Sequence, residues 1–312
     1  MKGHKLTVYS AHLFLIAFFF FACEAFLFLL NLVSPGMFPV RHFFTDLFFS
    51  LFLAASFLLF LDLVPDLLRS KKAKSLMFSE IKNSKITIGM TAYNDELSIG
   101  KAVGDFIRQE NVKTVVVVDN NSVDKTSEEA EKAGALVVRE EVQGYGASCL
   151  RALKEAMKHS DIICLVEGDC TFSGSDLKKL AAYLENADMV VGTRTTKELN
   201  APDSQMSLPL QWGNVLMAKL VQLRFRHVRL TDMGCTFRLI RKAALEKIVD
   251  RLEVKGNHFL CEMILTALGN DLMVIEIPVT LKKRVGESKG VGNNFFKAAA
   301  TAFQMWKLIL TR

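Results

Sequence analysis

The rhythm of apolar positions changes near residue 68. Before it, hydrophobic residues run almost without interruption. His12 to Val33 and Phe43 to Val64 each meet the roughly 20-residue requirement for a spanning helix, and Ser34, Pro35, Gly36 and Pro39 punctuate the short connection. The pattern predicts two transmembrane helices folded as a hairpin. From Ile86 onward, short β-branched runs at Ile86–Met90, Thr114–Val118, Ala135–Val138, Ile162–Val166 and Met189–Val191 alternate with helix-period stretches. Those stretches are Glu96–Gln109, Lys125–Ala133, Tyr145–Lys158 and Ser175–Leu184. The alternation predicts right-handed β-α-β units, an α/β domain with a Rossmann-like, mainly parallel sheet and helices on both faces. The expected organisation is a membrane anchor over 1–68, a basic linker over 69–85, the α/β domain over 86–290 and an amphipathic helix over 291–312.

Composition sharpens the division. Fifteen of the 24 Phe residues precede Val64, and between Leu6 and Leu68 only Glu24, Arg41, Asp46, Asp62 and Asp66 are formally charged. That excludes a purely soluble protein, a disordered chain and a coiled coil. A cleaved signal peptide is disfavoured, because the first run is too long, no small-residue cleavage site follows it and a second span comes next. Lys2 and Lys5 precede the first span, Arg69, Lys71, Lys72, Lys74, Lys82 and Lys85 follow the second, and the loop between holds Arg41 alone. This bias places both termini and the large domain in the cytoplasm of a two-span membrane protein, with the basic cluster against anionic headgroups. Glu24, deep in the first span, is costly in hydrocarbon and reads equally as a functional acid or as a protonated one facing Ser56 or another helix. The six cysteines show no C-x-x-C pair or zinc spacing and are expected to be reduced core thiols. The net charge of +6 gathers mostly beside the spans, which points to a lipid bilayer or a phosphorylated substrate and not to nucleic acid.

In such sheets ligands bind beyond the carboxyl ends of the strands, at the switch point. Polar signals sit there. Thr91 to Glu96 follow the first strand; Asp119-Asn120-Asn121-Ser122-Val123-Asp124-Lys125-Thr126 follow the second. The second segment is also a serviceable turn and helix cap. No G-x-G-x-x-G follows the first strand and no G-x-x-x-x-G-K-[ST] occurs, which demotes dehydrogenases and P-loop NTPases. The fourth strand ends in Glu167-Gly168-Asp169. Two carboxylates on a tight turn can hold Mg²⁺ or Mn²⁺, cations that also take phosphate oxygens as ligands.

These pieces, in this order from about Lys85 to Lys289, resemble family-2 glycosyltransferases of the GT-A fold, especially polyprenyl-phosphate sugar synthases. The resemblance implies that Ala92, Tyr93, Asn94, Glu96, Asp119 and Asn121 cradle a UDP- or GDP-linked sugar. Gln143-Gly144-Tyr145-Gly146 is similar to a segment where bare backbone approaches that donor, and Gly168 joins the nucleotide site. The family's D-x-D metal motif maps onto Glu167 and Asp169, with Glu a departure from the usual Asp. Val191-Gly192-Thr193-Arg194 looks like G-[ST]-R, and Asp232 to Arg238 resemble D-x-x-[ST]-G-F-R with the Gly displaced. Arg284-Val285-Gly286-Glu287-Ser288-Lys289 matches R-x-G-x-S-K.

The implied activity is inverting, metal-dependent transfer of one sugar to a polyprenyl (dolichyl-type) phosphate. Asp169, Asp232, Arg194 and Arg238 are the expected catalytic residues. Arg194 would contact the acceptor phosphate, while Arg284, Ser288 and Lys289 would close over the diphosphate. A phosphate acceptor is already an anion and needs no general base, only alignment of two anionic groups; guanidinium forks suit that task. A hydroxyl acceptor on a glycolipid or glycan would need a base, with Asp232 first and Glu262 second, although Glu262 reads more naturally as a half-buried structural acid. A non-catalytic nucleotide-sugar-binding protein is the rival from another class. A processive synthase is disfavoured by only two spans and no Q-x-x-R-W. A nucleotidyltransferase is disfavoured because no Gly-rich opening loop with a Lys occurs. His159, His227 and His258 show no metal spacing. The tail Asn294–Leu310 reads either as an interfacial amphipathic helix or as core packing, and Leu208–Arg226 is a second membrane-proximal candidate.

Overall fold

The computed structural model describes residues 3–33, 38–68, 78–81, 84–204, 206–286 and 295–312. The chain divides into two compact units, Lys2–Lys74 with Leu223–Arg226, and Ser75–Gln222 with His227–Arg312.

In the first unit, α1 (Lys5–Val33) and α2 (Phe38–Leu68) pack antiparallel. Stretches of 28 and 22 residues, Lys5–Leu32 and Phe43–Val64, are long and apolar enough to cross a membrane. Polar groups tie the pair at both ends. Ser10 Oγ donates to Ala55 O, and Asp62 Oδ2 accepts from both Thr7 N and Thr7 Oγ1, each at 2.7 Å. At the other end Thr45 donates to Glu24 at 2.6 Å. Glu24 thus meets a hydroxyl of α2 as expected, but Thr45 supplies it; Ser56 bonds its own helix at Phe52 O. Phe14 packs edge-on against Phe52, while large apolar side chains such as Phe18 and Leu53 face outward, exposed. Apolar surface on that scale calls for a lipid or protein covering.

The second unit follows in the order β1 (Ile86–Ala92), α3 (Ile99–Ile107), β2 (Val112–Asp119), α4 (Thr126–Lys132), β3 (Leu136–Arg139), α5 (Tyr145–Ala156), β4 (Ile162–Glu167), α6 (Leu177–Leu184) and β5 (Met189–Thr193). Then come α7 (Leu208–Arg224), whose last turn belongs to the first unit, β6 (Arg238–Arg241), α8 (Lys242–Glu246), α9 (Phe259–Gly269), β7 (Val274–Pro278) and α10 (Phe295–Thr311). The seven strands form one sheet in the order β3-β2-β1-β4-β6-β5-β7. The sheet is parallel except for β6, which runs antiparallel to β4 and β5. Sequence pattern shows the first five strands but not β6 or β7. β6 has four residues with an arginine at each end, and β7 ends in proline; both are too short for a clear period.

Alternation along β1 explains the layers. Ile86, Ile88 and Met90 point into the core shared with Ile99, Val103 and Phe106 of α3 and with α6. Phe106 and Phe172 both pack on Phe237, with ring centroids 5.6 and 5.5 Å apart. Gly89 points to the other face, where α5 lies so close that a Cβ would sit 2.8 Å from Ala152 O. The chain leaves β1 towards β2 and β3, then returns to add β4 on the opposite side. This switch point opens a crevice between the ends of β1 and β4. Because the atom meeting position 89 is backbone, Gly89→Ala is expected to cost about 1–3 kcal/mol of overpacking strain. The check is the thermal unfolding midpoint of the solubilised protein, which should fall by several degrees.

Candidate active site

A cavity of about 800 Å³ opens at that crevice. Its polar lining includes Tyr93, Asp95, Asn120, Gln143, Tyr145, Glu167, Asp169, Arg194 and Arg284. Its apolar lining includes Met206, Pro209, Leu210 and Met217 around α7, beside the polar Ser207 and Asn214, and Ala298, Ala302 and Met305 of α10. α10 buries Thr301, Met305 and Ile309 while Phe296 and Phe303 stand exposed.

The carboxylate pair forms where β4 ends. Gly168 N donates to Thr91 O at 3.0 Å, tying the turn to β1. Asp169 Oδ1 accepts from Thr171 N and Oγ1, and Oδ2 lies 2.6 Å from Arg284 Nη2. Glu167 Oε1 accepts from the Tyr145 hydroxyl and Thr236 Oγ1, both at 2.8 Å, while Oε2 lies 3.5 Å from the same Arg284 nitrogen. The Arg284 strap reaches the pair because Lys282 N and Val285 N donate to Thr171 O and Asp169 O. Burial and then the neighbouring Glu167 charge raise the Asp169 carboxyl to about 7. Burial pushes Glu167 the same way, but Arg284 and the two hydroxyls outweigh it and hold Glu167 below its ordinary value. Burial, followed by the Glu167 charge, drives the Tyr145 phenol well above its usual range, so it remains a donor.

This arrangement fits a divalent cation. Asp169 Oδ2 is buried, makes no hydrogen bond and meets a cationic nitrogen that Glu167 Oε2 also faces; the guanidinium stands where a metal charge would. The donors are all carboxylate oxygens, as hard cations require. Among the described residues no group of three or more His, Cys, Asp or Glu gathers, so further ligands would come from phosphate oxygens and water.

A second charge pair reaches the cavity through Arg194. Asp232, fully buried, accepts from Arg194 Nε at 2.7 Å, Arg194 Nη2 at 2.9 Å, Arg194 N at 3.1 Å and Gly234 N at 2.9 Å. Glu276 holds the Asp232 backbone by accepting from Thr231 N and Asp232 N. Burial alone would raise the Asp232 carboxyl, yet Arg194 keeps it below its ordinary value.

Several residues expected at the ligand are placed elsewhere. Ala92, Tyr93, Gln143, Glu167, Asp169, Arg194 and Arg284 line the cavity; Asn94, Glu96, Asp119, Asn121, Gly144, Gly168, Asp232 and Arg238 do not. Asn94 and Glu96 lace the first loop to the second, accepting from Val123 N and Lys125 N. Asp119 accepts from Ser122 N and Ser127 Oγ, and Asn121 donates to Glu141 O. At Gly168 a Cβ would meet Ile99 Cδ1, the movable end of a side chain, and lie 3.3 Å from Thr91 O. Arg238 is a buried brace whose donors reach the carbonyls of Cys235, Leu260 and Met233. Glu262 is fully buried, accepting from Glu253 N, Val254 N and Arg312. Ser288 and Lys289 lie outside the described residues, as does most of the 69–85 basic cluster. Tyr145, Thr236 and Asn120 were not singled out from sequence, although each sits inside a recognised motif.

The model of glycosyl transferase family 2 matches residues 87–249. A low-salt glycan biosynthesis hexosyltransferase of Haloferax volcanii is 32% identical over 175 residues, 55% of this chain but 41% of that protein's length. A dolichyl-phosphate hexose transferase of the same organism is 28% identical over 207 residues, 65% of this chain and 86% of that one. Glucosyl-3-phosphoglycerate synthase from Mycobacterium tuberculosis, solved with Mn²⁺, UDP and glucosyl-3-phosphoglycerate, superposes with a TM-score of 0.55 at 16% identity, covering 74% of this chain and 80% of that one. The shared fold is GT-A.

Asp232→Asn removes the charge that compensates Arg194, and losing one partner of a buried pair typically costs about 3–5 kcal/mol. Arg194→Met with Asp232→Asn should cost less than the sum of the singles. Since the folded Asp232 carboxyl titrates below its unfolded value, its stabilisation is complete above roughly pH 4 and is lost as pH falls through the lower folded value. Thermal unfolding of the three variants against pH checks both statements.

Proposed function

The chain belongs to glycosyl transferase family 2, and on that premise we propose that it moves one sugar from a nucleotide-sugar donor to a polyprenyl phosphate, inverting the anomeric centre. The observation that carries this reading is the single cavity in which a carboxylate pair and two guanidiniums share space with an apolar wall from α7 and α10. The polar lining suits a diphosphate and a lipid phosphate; the wall suits the first isoprene units. A relative's name, dolichyl-phosphate hexose transferase, supports the same acceptor class.

Asp232 separates the phosphate acceptor from a hydroxyl acceptor. A hydroxyl needs a general base within reach of its proton. Asp232 spends both oxygens on Arg194 and Gly234, and Glu262, the second candidate, is sealed away among backbone amides. A lipid phosphate needs only to be held in line. Arg194, fixed by Asp232, presents a guanidinium to the cavity as its anion holder. Tyr93 and Gln143 would flank the nucleotide, and Arg284 would move from the carboxylates to the diphosphate as the donor enters. Mg²⁺ or Mn²⁺ held by Glu167 and Asp169 would supply charge neutralisation at the leaving diphosphate. We place the two apolar helices across the bilayer with both termini and the GT-A domain cytoplasmic, because Lys2 and Lys5 precede the first span and Arg41 alone is basic in the loop.

The test is a membrane-fraction assay with radiolabelled UDP- and GDP-sugars and a polyprenyl phosphate. Label is expected in the organic phase as a mild-acid-labile lipid, abolished by EDTA and lowered roughly 10²–10³-fold by Asp169→Asn. Metal-dependent nucleotide binding without labelled lipid from any donor would sink the phosphate acceptor and leave the hydroxyl one.

A further inference from the structure

The glutamate at the head of Glu167-Gly168-Asp169 is one methylene longer than aspartate, and the structure accounts for that length. Glu167 Oε1 accepts from the Tyr145 hydroxyl and from Thr236 Oγ1, each at 2.8 Å, and the two hydroxyl oxygens lie 2.5 Å apart. The three groups close a triangle about one carboxylate oxygen. The other, Oε2, is turned towards Arg284 Nη2, which also contacts Asp169. Aspartate at 167 would withdraw the carboxylate by about one C–C bond, ~1.5 Å, beyond hydrogen-bond reach of both hydroxyls.

Both hydroxyls are held from behind. Tyr145 opens α5 between two glycines pressed on backbone: a Cβ would lie 2.4 Å from Lys255 O at Gly144 and 2.3 Å from Val254 O at Gly146. Gly146 N donates to Lys255 O at 2.8 Å. Val254 N is itself held by the buried Glu262 carboxylate. Thr236 is 1% exposed, just ahead of β6. These contacts fix the start of α5 and with it Tyr145.

We infer that Tyr145 and Thr236 are positioning residues for the cation site: they clamp Glu167 Oε1 so that Oε2 is presented beside Asp169 as a ligand oxygen. This rests on the metal-dependent transfer proposed above. Groups that orient a ligating carboxylate typically change metal affinity ten- to a hundredfold.

The test measures Mn²⁺ binding to the detergent-solubilised full chain, by the resonance signal of free Mn²⁺ with UDP or GDP present, together with transfer kinetics and thermal unfolding. Tyr145→Phe is expected to weaken Mn²⁺ binding roughly tenfold and to raise the Mn²⁺ needed for half-maximal transfer in step, with kcat at saturating Mn²⁺ little changed. Thr236→Val should act in the same direction and serves if Tyr145→Phe fails to fold. Glu167→Asp should weaken binding as well, and adding Tyr145→Phe to it should do no further harm, since the shorter acid no longer meets the hydroxyl. Unshifted Mn²⁺ affinity in folded Tyr145→Phe, or additive losses in the double variant, would overturn the inference. So would a wild-type protein that binds no Mn²⁺ with either nucleotide. If Mn²⁺ affinities shift as expected but no donor yields labelled lipid, the positioning role stands and the transfer reading falls.

Discussion

Two carboxylates meet at the end of β4, a buried Asp169 and a half-buried Glu167, and much of the neighbouring structure answers their repulsion. Like charges this close do not both ionise unless a cation or a set of donors compensates them. Here Arg284 supplies the cation, Tyr145 and Thr236 donate to one acid, and Thr171 donates to the other. The strap after β7 bonds the backbone beside Asp169, and the turn itself is pinned to β1 through Thr91. Arg284 contacts both acids, yet burial and the Glu167 charge still raise the Asp169 carboxyl to about 7. A divalent cation beside the pair would offset that repulsion further.

The Arg194–Asp232 pair solves the opposite problem. Asp232 is satisfied from four directions and its backbone is held by Glu276, so its charge serves to fix a guanidinium and not to accept a substrate proton. One cavity therefore presents an anionic pair that wants a cation and a fixed cation that wants an anion. A metal-bound diphosphate and a second phosphate together meet both demands.

Legibility followed local order. Strands β1, β2 and β4 carry apolar runs strong enough to stand out, and the two long apolar helices needed only length and composition. β6 does not, because RLIR pairs its Arg238 inward to three carbonyls, a tertiary arrangement with no local signature. For the same reason Arg194 and Arg238 look alike as motif members, although one faces the cavity and the other braces the core. The polar loops after β1 and β2 were legible as a site but not as a division of labour. Asn94, Glu96 and Asp119 bond within the loops and shape the wall, leaving Tyr93, Asn120 and Gln143 at its surface. Glu262 was readable as structural from its apolar surroundings, and the amides it accepts from explain why.

Glu167, the departure in the D-x-D motif, is linked to Asn120 through one loop. The Asn120 side-chain amide donates to Glu140 O and Val142 O and accepts from Gly144 N and Gln143 Nε2. An amide donates and accepts at once, whereas an aspartate there would face two carbonyls with a negative charge. Asn120 thereby holds Gly144, which leads directly into Tyr145 at the start of α5, and Tyr145 grips Glu167. The lengthened carboxylate and the amide at 120 are therefore not independent features. Through the loop between them they form a continuous support for one ligand oxygen, which argues for a site maintained in altered form and against a binding protein that has lost its chemistry.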